Sequence, residues 1–240
     1  VGRPIEGRDV QQGLVDLASR YGLTELQKSQ LGRLLAVLEA DPQAPTTVRA
    51  GVAALNTHVA DSLVALELDI VREAKCIADL GAGAGFPGIA LAIALPDSEV
   101  RLLESQARKC AFMEALIAEV GVENAGVVNV RAEEWLAGAG AHDLVTARAL
   151  APQEVVLEYA APLLAPTGRL LDWRGRRDRE GEEIAMAAAG ELGMVLLEVR
   201  VVEPFVGARD LHLHLFAKTA PTPGRFPRRA GMARKRPLGR

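Results

Sequence analysis

Several stretches of this chain carry residue types at spacings that could do chemistry. The first is Asp79-Leu80-Gly81-Ala82-Gly83-Ala84-Gly85-Phe86-Pro87-Gly88, entered from the apolar run that starts at Cys76. Alternate glycines leave backbone N–H groups uncovered, and a proline just before the apolar run 89–95 suits a first helical turn. A strand that breaks into such a loop and then a helix offers its N–H groups to a small ligand at the strand's carboxyl end. The second is Glu104, which closes the next apolar run. An acid at the end of a second strand can accept hydrogen bonds from both hydroxyls of a ribose, and it can also be an ordinary surface acid. Arg131-Ala132-Glu133-Glu134 follows a third strand, where Glu133 can be a ligand contact and also an acid at a helix start, two compatible readings. Arg148 ends a fourth strand, at a ligand's reacting end or paired with a core acid. His58 and Asp61, three apart, share a helix face as a site or as a local polar pair.

The glycine spacing narrows the ligand. A dinucleotide loop needs Gly-x-Gly-x-x-Gly, and counting from Gly81 the third glycine falls on Phe86. The pattern Asp-x-Gly-x-Gly-x-Gly is similar instead to the first motif of S-adenosylmethionine-dependent methyltransferases. In that motif the glycines let the chain pass close to the methionine part of the cofactor, and the acid lies near its amino group. Two other devices are missing. No Asn/Asp-Pro-Pro-Tyr/Phe follows the fourth strand to grip an exocyclic amine, and neither Cys76 nor Cys110 stands in a strand-end loop as a nucleophile.

The elements that must position these residues alternate. Strands are expected at about 76–80, 99–104, 126–130, 143–147, 168–172, 194–202 and 211–217, with helices at about 87–95, 107–120, 133–138, 152–164 and 179–192. This alternation predicts a doubly wound, mainly parallel seven-stranded α/β sheet of the Rossmann-like type, its last two strands forming an antiparallel hairpin. Before it, residues 9–40 read as two amphipathic helices, with stripes Val10, Leu14, Leu17, Ala18, Tyr21 and Leu26, Leu31, Leu34, Leu35, Leu38; a third helix covers about 50–68. The expected division is a helical extension at 1–70, the sheet domain at 71–218 and a tail at 219–240.

At 240 residues the chain can bury a sizeable core. It has no apolar run of the roughly 20 residues that a membrane span needs. Val1 to Val10 is charged without an apolar stretch, so no secretory signal is expected there. Two cysteines form no disulfide or metal framework, and a cytoplasmic setting is the default. The net charge of −3 conceals an asymmetry: residues 219–240 hold seven arginines and lysines and no acid, which leaves −10 on the rest. A basic tail on an acidic body is an electrostatic footprint for nucleic acid, or simply a solvated tail.

Taken together, His58-x-x-Asp61-Ser62-Leu63, the 79–88 loop with Phe86-Pro87-Gly88, Arg131-Ala132-Glu133-Glu134, Ala147-Arg148-Ala149 and Phe226-Pro227-Arg228-Arg229-x-Gly231 resemble one family. It is that of the bacterial 16S ribosomal RNA guanine-N7 methyltransferases, historically called glucose-inhibited division protein B. The resemblance runs from about residue 25 to the C-terminus. It implies S-adenosylmethionine as cofactor, held by Gly81, Gly83, Gly85, Phe86, Ala132, Glu133 and Arg148, with Glu104 added by the fold argument. It implies 16S RNA or the small ribosomal subunit as partner, with His58, Asp61, Arg174, Arg228 and Arg229 on the RNA side. The tail arginines Arg225, Arg228, Arg229, Arg234, Arg236 and Arg240, with Arg174, Arg176 and Arg177, are expected to bind phosphate. No catalytic residue and no metal are implied, and a monomer suffices. Where the family often has Asn-Leu-Thr, this chain reads Pro45-Thr46-Thr47-Val48, and its Lys-Gly after strand five is Arg174-Gly175. Both departures bear on substrate choice. A methyltransferase acting on a small molecule or a protein, or a non-catalytic cofactor-binding subunit, are the competing readings.

Overall fold

The computed structural model describes residues 10–240, so the charged leading segment falls outside them except for Val10. The described chain opens with α1 (Val10–Tyr21) and α2 (Glu25–Ala40). Thr24 starts α2 with a capping box: its hydroxyl accepts from the Gln27 N–H, and the Gln27 side-chain oxygen accepts from the Thr24 N–H at 2.8 Å. Both predicted stripes are buried except for Leu26, which is 69% exposed, and Val10, which is half-buried. Five residues at about 100° each put Leu26 on the far side of the helix from Leu31.

The single helix expected over 50–68 is broken. α3 (Gly51–Ala54) widens into a π-type turn at Leu55–Ala60, continues as α4 (Asp61–Leu63), tightens into a 3-10 turn at Val64–Glu67 and gives way to α5 (Asp69–Arg72). The Ser62 hydroxyl donates to the His58 carbonyl at 2.5 Å. Such back-bonding competes with the regular ladder, and wide turns of this kind often sit at functional sites.

The sheet follows: β1 (Cys76–Leu80), α6 (Gly88–Ala94), β2 (Glu99–Glu104), α7 (Ala107–Val120), β3 (Ala125–Asn129), β4 (His142–Arg148), α8 (Gln153–Ala160), β5 (Leu164–Arg174), α9 (Arg179–Glu191), β6 (Met194–Val201), β7 (His212–Lys218) and, in the tail, α10 (Met232–Lys235). Strand order is β3-β2-β1-β4-β5-β7-β6, with β1 to β5 parallel and β7 antiparallel to both of its neighbours. This is the doubly wound sheet with a closing hairpin. The structural neighbours reported below share it.

Three expectations move, one being the helix expected over 152–164, which ends at Ala160. Residues 133–138 form two 3-10 turns, Ala132–Glu134 and Leu136–Gly138, rather than a helix. β5 begins at Leu164 instead of about 168, because the pairing with β4 slips between His142 and Leu144 and absorbs 165–168, where Thr167 has φ +66°.

Apolar side chains cover both faces of the sheet. Ile77, Leu102, Leu144, Leu171 and Trp173 pack with α1, α2, α6 and α7, so the N-terminal helices share a core with the sheet. Ala78, Leu80, Val145, Leu170 and Phe216 pack with α8 and α9. The tail belongs to that second face: Phe226 and Ala233 are buried in it. Among the described residues, no helix is long and apolar enough to cross a membrane.

Candidate functional site

The loop after β1 is shaped by three positive-φ glycines, Gly81 (+65°), Gly83 (+61°) and Gly85 (+97°). A Cβ on Gly81 would stand 2.5 Å from the Leu150 side chain, so glycine is required there for conformation and for space. Asp79, 1% exposed, fixes the loop from below. It accepts from the Gly88 N–H at the start of α6 (3.0 Å) and from the hydroxyl of Thr146, its register partner on β4 (2.8 Å). Burial pushes the Asp79 carboxyl up to about 6, against those two hydrogen bonds and the more distant Arg148. The motif acid is thus spent on holding the turn, and its oxygens face the protein rather than a ligand.

Above the carboxyl ends of β1, β2 and β3 lies a cavity of about 300 Å³. Four predicted residues, Gly81, Glu104, Ala132 and Glu133, line it. Glu104 is 6% exposed; one oxygen accepts from the Gln106 N–H at 2.9 Å, and the other has Lys109 Nζ at 3.8 Å. A carboxylate has about four acceptor positions, so Glu104 keeps capacity for two hydroxyls. Leu103, Val130, Leu150 and Tyr159 supply the apolar walls. A pocket of this size and lining suits a nucleoside, at the small end of ligand sites. Glu133 also accepts from the Gly231 N–H at 3.0 Å, which ties the pocket to the tail, while it stands in the first turn of the 3-10 segment Ala132–Glu134. Arg234, from the tail, lines the pocket and donates to the Leu150 carbonyl at 3.1 Å. The sequence reading expected Arg234 on phosphate with the other tail arginines and missed Leu150 and Tyr159. The Gly231 in the tail motif was the one available signal for the contact.

The other predicted residues gather elsewhere. Phe86 stacks on His58 with ring centroids 4.7 Å apart and planes 17° from parallel, and the Arg148 guanidinium lies 5.8 Å from the centre of the Phe86 ring. Arg148 Nη1 donates to Asp61 and to the Thr57 carbonyl, each at 2.8 Å. Trp173 Nε1 donates to the Asp61 carbonyl at 2.8 Å. Arg148 therefore pairs with a largely buried acid, and both ends of the His58–Asp61 motif converge on the edge of the glycine loop. Burial pushes the Asp61 carboxyl up while Arg148 opposes the shift. It pushes the His58 imidazole down, against the hydrogen bond to the Val48 carbonyl.

The RNA-side expectations divide. Arg174 and Arg176 border a second cavity, of about 760 Å³, at the carboxyl end of β5. Arg177, also on its lining, is paired with Glu182. Arg228 does not stand free for phosphate: it forks onto Glu158, with Nε at 2.7 Å from Oε1 and Nη2 on Oε2, and Glu158 is 2% exposed. A buried carboxylate without that partner would be strongly unfavourable, which is why the tail folds back. Arg225 pairs with Glu191 and Arg240 with Glu154. Arg229 is exposed, without a polar partner among the described residues. No group of His, Cys, Asp and Glu among the described residues could hold a metal ion.

Comparisons with known proteins agree on one family. The family model described as rRNA small subunit methyltransferase G matches residues 46–204. A protein named ribosomal RNA small subunit methyltransferase G from Syntrophomonas wolfei is 37% identical over 191 residues, 77% of this chain and 86% of the relative. One of the same name from Synechococcus sp. (strain JA-3-3Ab) is 34% identical over 94% of this chain and 90% of its own. Among solved structures, a SAM dependent methyltransferase from Aquifex aeolicus superposes with a TM-score of 0.55 at 15% identity, covering 78% of this chain and 97% of that one, a likeness of fold.

Proposed function

The chain belongs to the rRNA small subunit methyltransferase G family, and we propose from that premise that it transfers a methyl group from S-adenosylmethionine to N7 of a guanine in 16S ribosomal RNA. The observation that carries the reading is the meeting of Gly81 and Glu104, from neighbouring strands, on one nucleoside-sized pocket closed by Ala132 and Glu133.

When bound, S-adenosylmethionine would supply an electrophilic methyl group: the lone pair of guanine N7 would form the new N–C bond in line as the C–S bond breaks, its electron pair going to sulfur and leaving the neutral thioether. N7 carries no proton, so no general base is needed and none is assigned. The chain contributes position and exclusion of water. Glu104 would accept from the ribose hydroxyls, Ala132 and Glu133 would flank the adenine, and the turn through Gly81, Gly83 and Gly85 would let the backbone approach the methionine part. Phe86 and Arg148 border the methyl-bearing end. Arg148 is already neutralised by Asp61, so it adds little net charge beside a product that becomes cationic on methylation. The base must be unpaired or flipped to reach this point, with His58 and Asp61 at the entrance and Arg174 and Arg229 toward the RNA backbone.

The test is methyl transfer from labelled cofactor to naked 16S RNA, whole small subunits and free nucleosides, followed by nuclease digestion. Label in N7-methylguanosine from either RNA substrate supports the reading. Efficient labelling of free nucleosides would move the protein to the small-molecule class. Cofactor binding without turnover on any RNA would leave it a binding subunit.

A further inference from the structure

β5 and β7 lie side by side, with Asp172 opposite His214 and Arg174 opposite His212. All four side chains are on the α8/α9 face, since Leu171, Trp173, Leu213 and Leu215 occupy the other. Gln153, at the start of α8, donates to Asp172 Oδ2 at 3.0 Å and reaches His214 Nδ1 at 3.1 Å. With Nδ1 accepting, His214 carries its proton on Nε2. That N–H is buried and has no partner, in a residue 2% exposed that lines the 760 Å³ cavity. Arg174 repeats the situation. Its Nε donates to Asp172 at 2.6 Å and its Nη1 to the Ala151 carbonyl at 3.0 Å, but Nη2 is buried with nothing to donate to. Two unpartnered donors from neighbouring strands thus line one cleft, where an unmet buried donor is costly.

We propose that this cleft is a second binding site, for a phosphoryl oxygen, held by His214 Nε2–H and Arg174 Nη2. In the RNA complex its occupant is a backbone phosphate near the target base, an assignment that rests on the function proposed above. Both open positions are donors, so the occupant must be an acceptor. The carboxylates beside them are engaged: Asp172 by Arg174, Glu182 by Arg177 and Glu154 by Arg240. Asp178 and Glu180 lie at the start of α9 on the lining, and the exposed Arg176 offsets one of these two charges. The first turns of α8 and α9 both border the cavity and add positive dipole ends. Burial holds His214 neutral by pushing its imidazole down to about 4, so it donates one hydrogen bond without adding charge. β5 is two strands from β1, roughly 10 Å, a distance that adjoining nucleotides can span.

The test uses the full chain. Inorganic phosphate is titrated into nitrogen-15-labelled protein while the His214 Nε2–H and Arg174 side-chain signals are followed. A saturable shift of both is expected in the unsubstituted protein, with the Arg174 shift abolished in His214→Phe and kept in His214→Gln. In parallel, the affinity of His214→Phe for a 16S RNA fragment is measured at three salt concentrations. A loss of about tenfold is expected with an unchanged salt slope, because the group removed is uncharged, and with cofactor affinity unchanged. If phosphate shifts the signals but RNA affinity does not fall, the RNA assignment is overturned and the cleft takes free phosphate only. If neither responds, the donors hold water and the site is overturned. Should His214→Phe misfold, His214→Leu is read in the same two assays. Wild-type methyl transfer to RNA, run alongside, separates failure of the subsite from failure of the proposed function.

Discussion

Glu104→Gln isolates the contact on which cofactor recognition rests. The substitution preserves volume, and the new amide oxygen can still accept from the Gln106 N–H now bonded at 2.9 Å, so the start of α7 keeps its partner. The negative charge is lost, and with it the second oxygen as an acceptor for a ribose hydroxyl. Hydrogen bonds to a charged group contribute about 1.5–3 kcal/mol each, of which a neutral amide retains roughly half. Two hydroxyls facing a 6% exposed carboxylate therefore predict a loss of about 2 kcal/mol, or about 30-fold in Kd. Glu104→Ala, which also releases the Gln106 N–H, should lose more. Isothermal calorimetry with S-adenosylmethionine and its demethylated product measures both variants. A Kd for Glu104→Gln within about threefold of wild type, in protein of unchanged melting temperature, would refute the argument, because the sugar could then not be lying on this acid.

Arg228→Met leaves Glu158 buried without its partner and should cost about 3 kcal/mol, seen as a fall in Tm of roughly 6–12 °C; an unchanged melting curve would return Arg228 to the RNA side. Arg234→Ala should weaken cofactor binding several-fold through loss of its place on the pocket wall and its bond to the Leu150 carbonyl, while the salt slope of RNA binding falls by no more than one phosphate's share. Stability should depend on pH through Asp79 and Asp172, both raised from 3.8 to about 6. Between those values the folded chain binds more protons than the unfolded one, so their contribution is full below about pH 4 and is lost as pH rises through 6. His214, pushed down to about 4, acts in the opposite sense over the same window, so the check is a comparison: in denaturant unfolding across pH 4–7, the stability of Asp172→Asn should fall less, or rise more, with pH than that of the unsubstituted protein.

The strands, their order of use and the glycine loop were legible because each is written locally, in apolar runs, glycine spacing and the acid that closes β2. What was not legible depended on pairing across the chain. Nothing near Leu150 announces that it covers Gly81, and nothing in 219–240 says that Arg228 faces a buried acid on α8. A run of basic residues without acids reads the same whether its partners are phosphates or the protein's own carboxylates. The broken helix at 50–68 was hidden for a related reason, since the Ser62 hydroxyl's bond to the His58 carbonyl competes with a pattern that otherwise looks helical.

That broken helix gives the His58-x-x-Asp61-Ser62-Leu63 segment a structural role beside the glycine loop. The motif is where the N-terminal extension grips the site. His58 stacks on Phe86, Asp61 takes Arg148, the Asp61 carbonyl takes Trp173 and Ser62 holds the wide turn that aims them. Each partner lies on a different strand or loop, so the extension fixes the ends of β4 and β5 relative to the turn after β1. The π-type turn at Leu55–Ala60 sets the rotation of Asp61 relative to His58 in this segment. Substituting Ser62 by alanine should therefore reduce methyl transfer more than cofactor affinity, because the pocket at Glu104 does not touch this segment whereas the entrance for the base does.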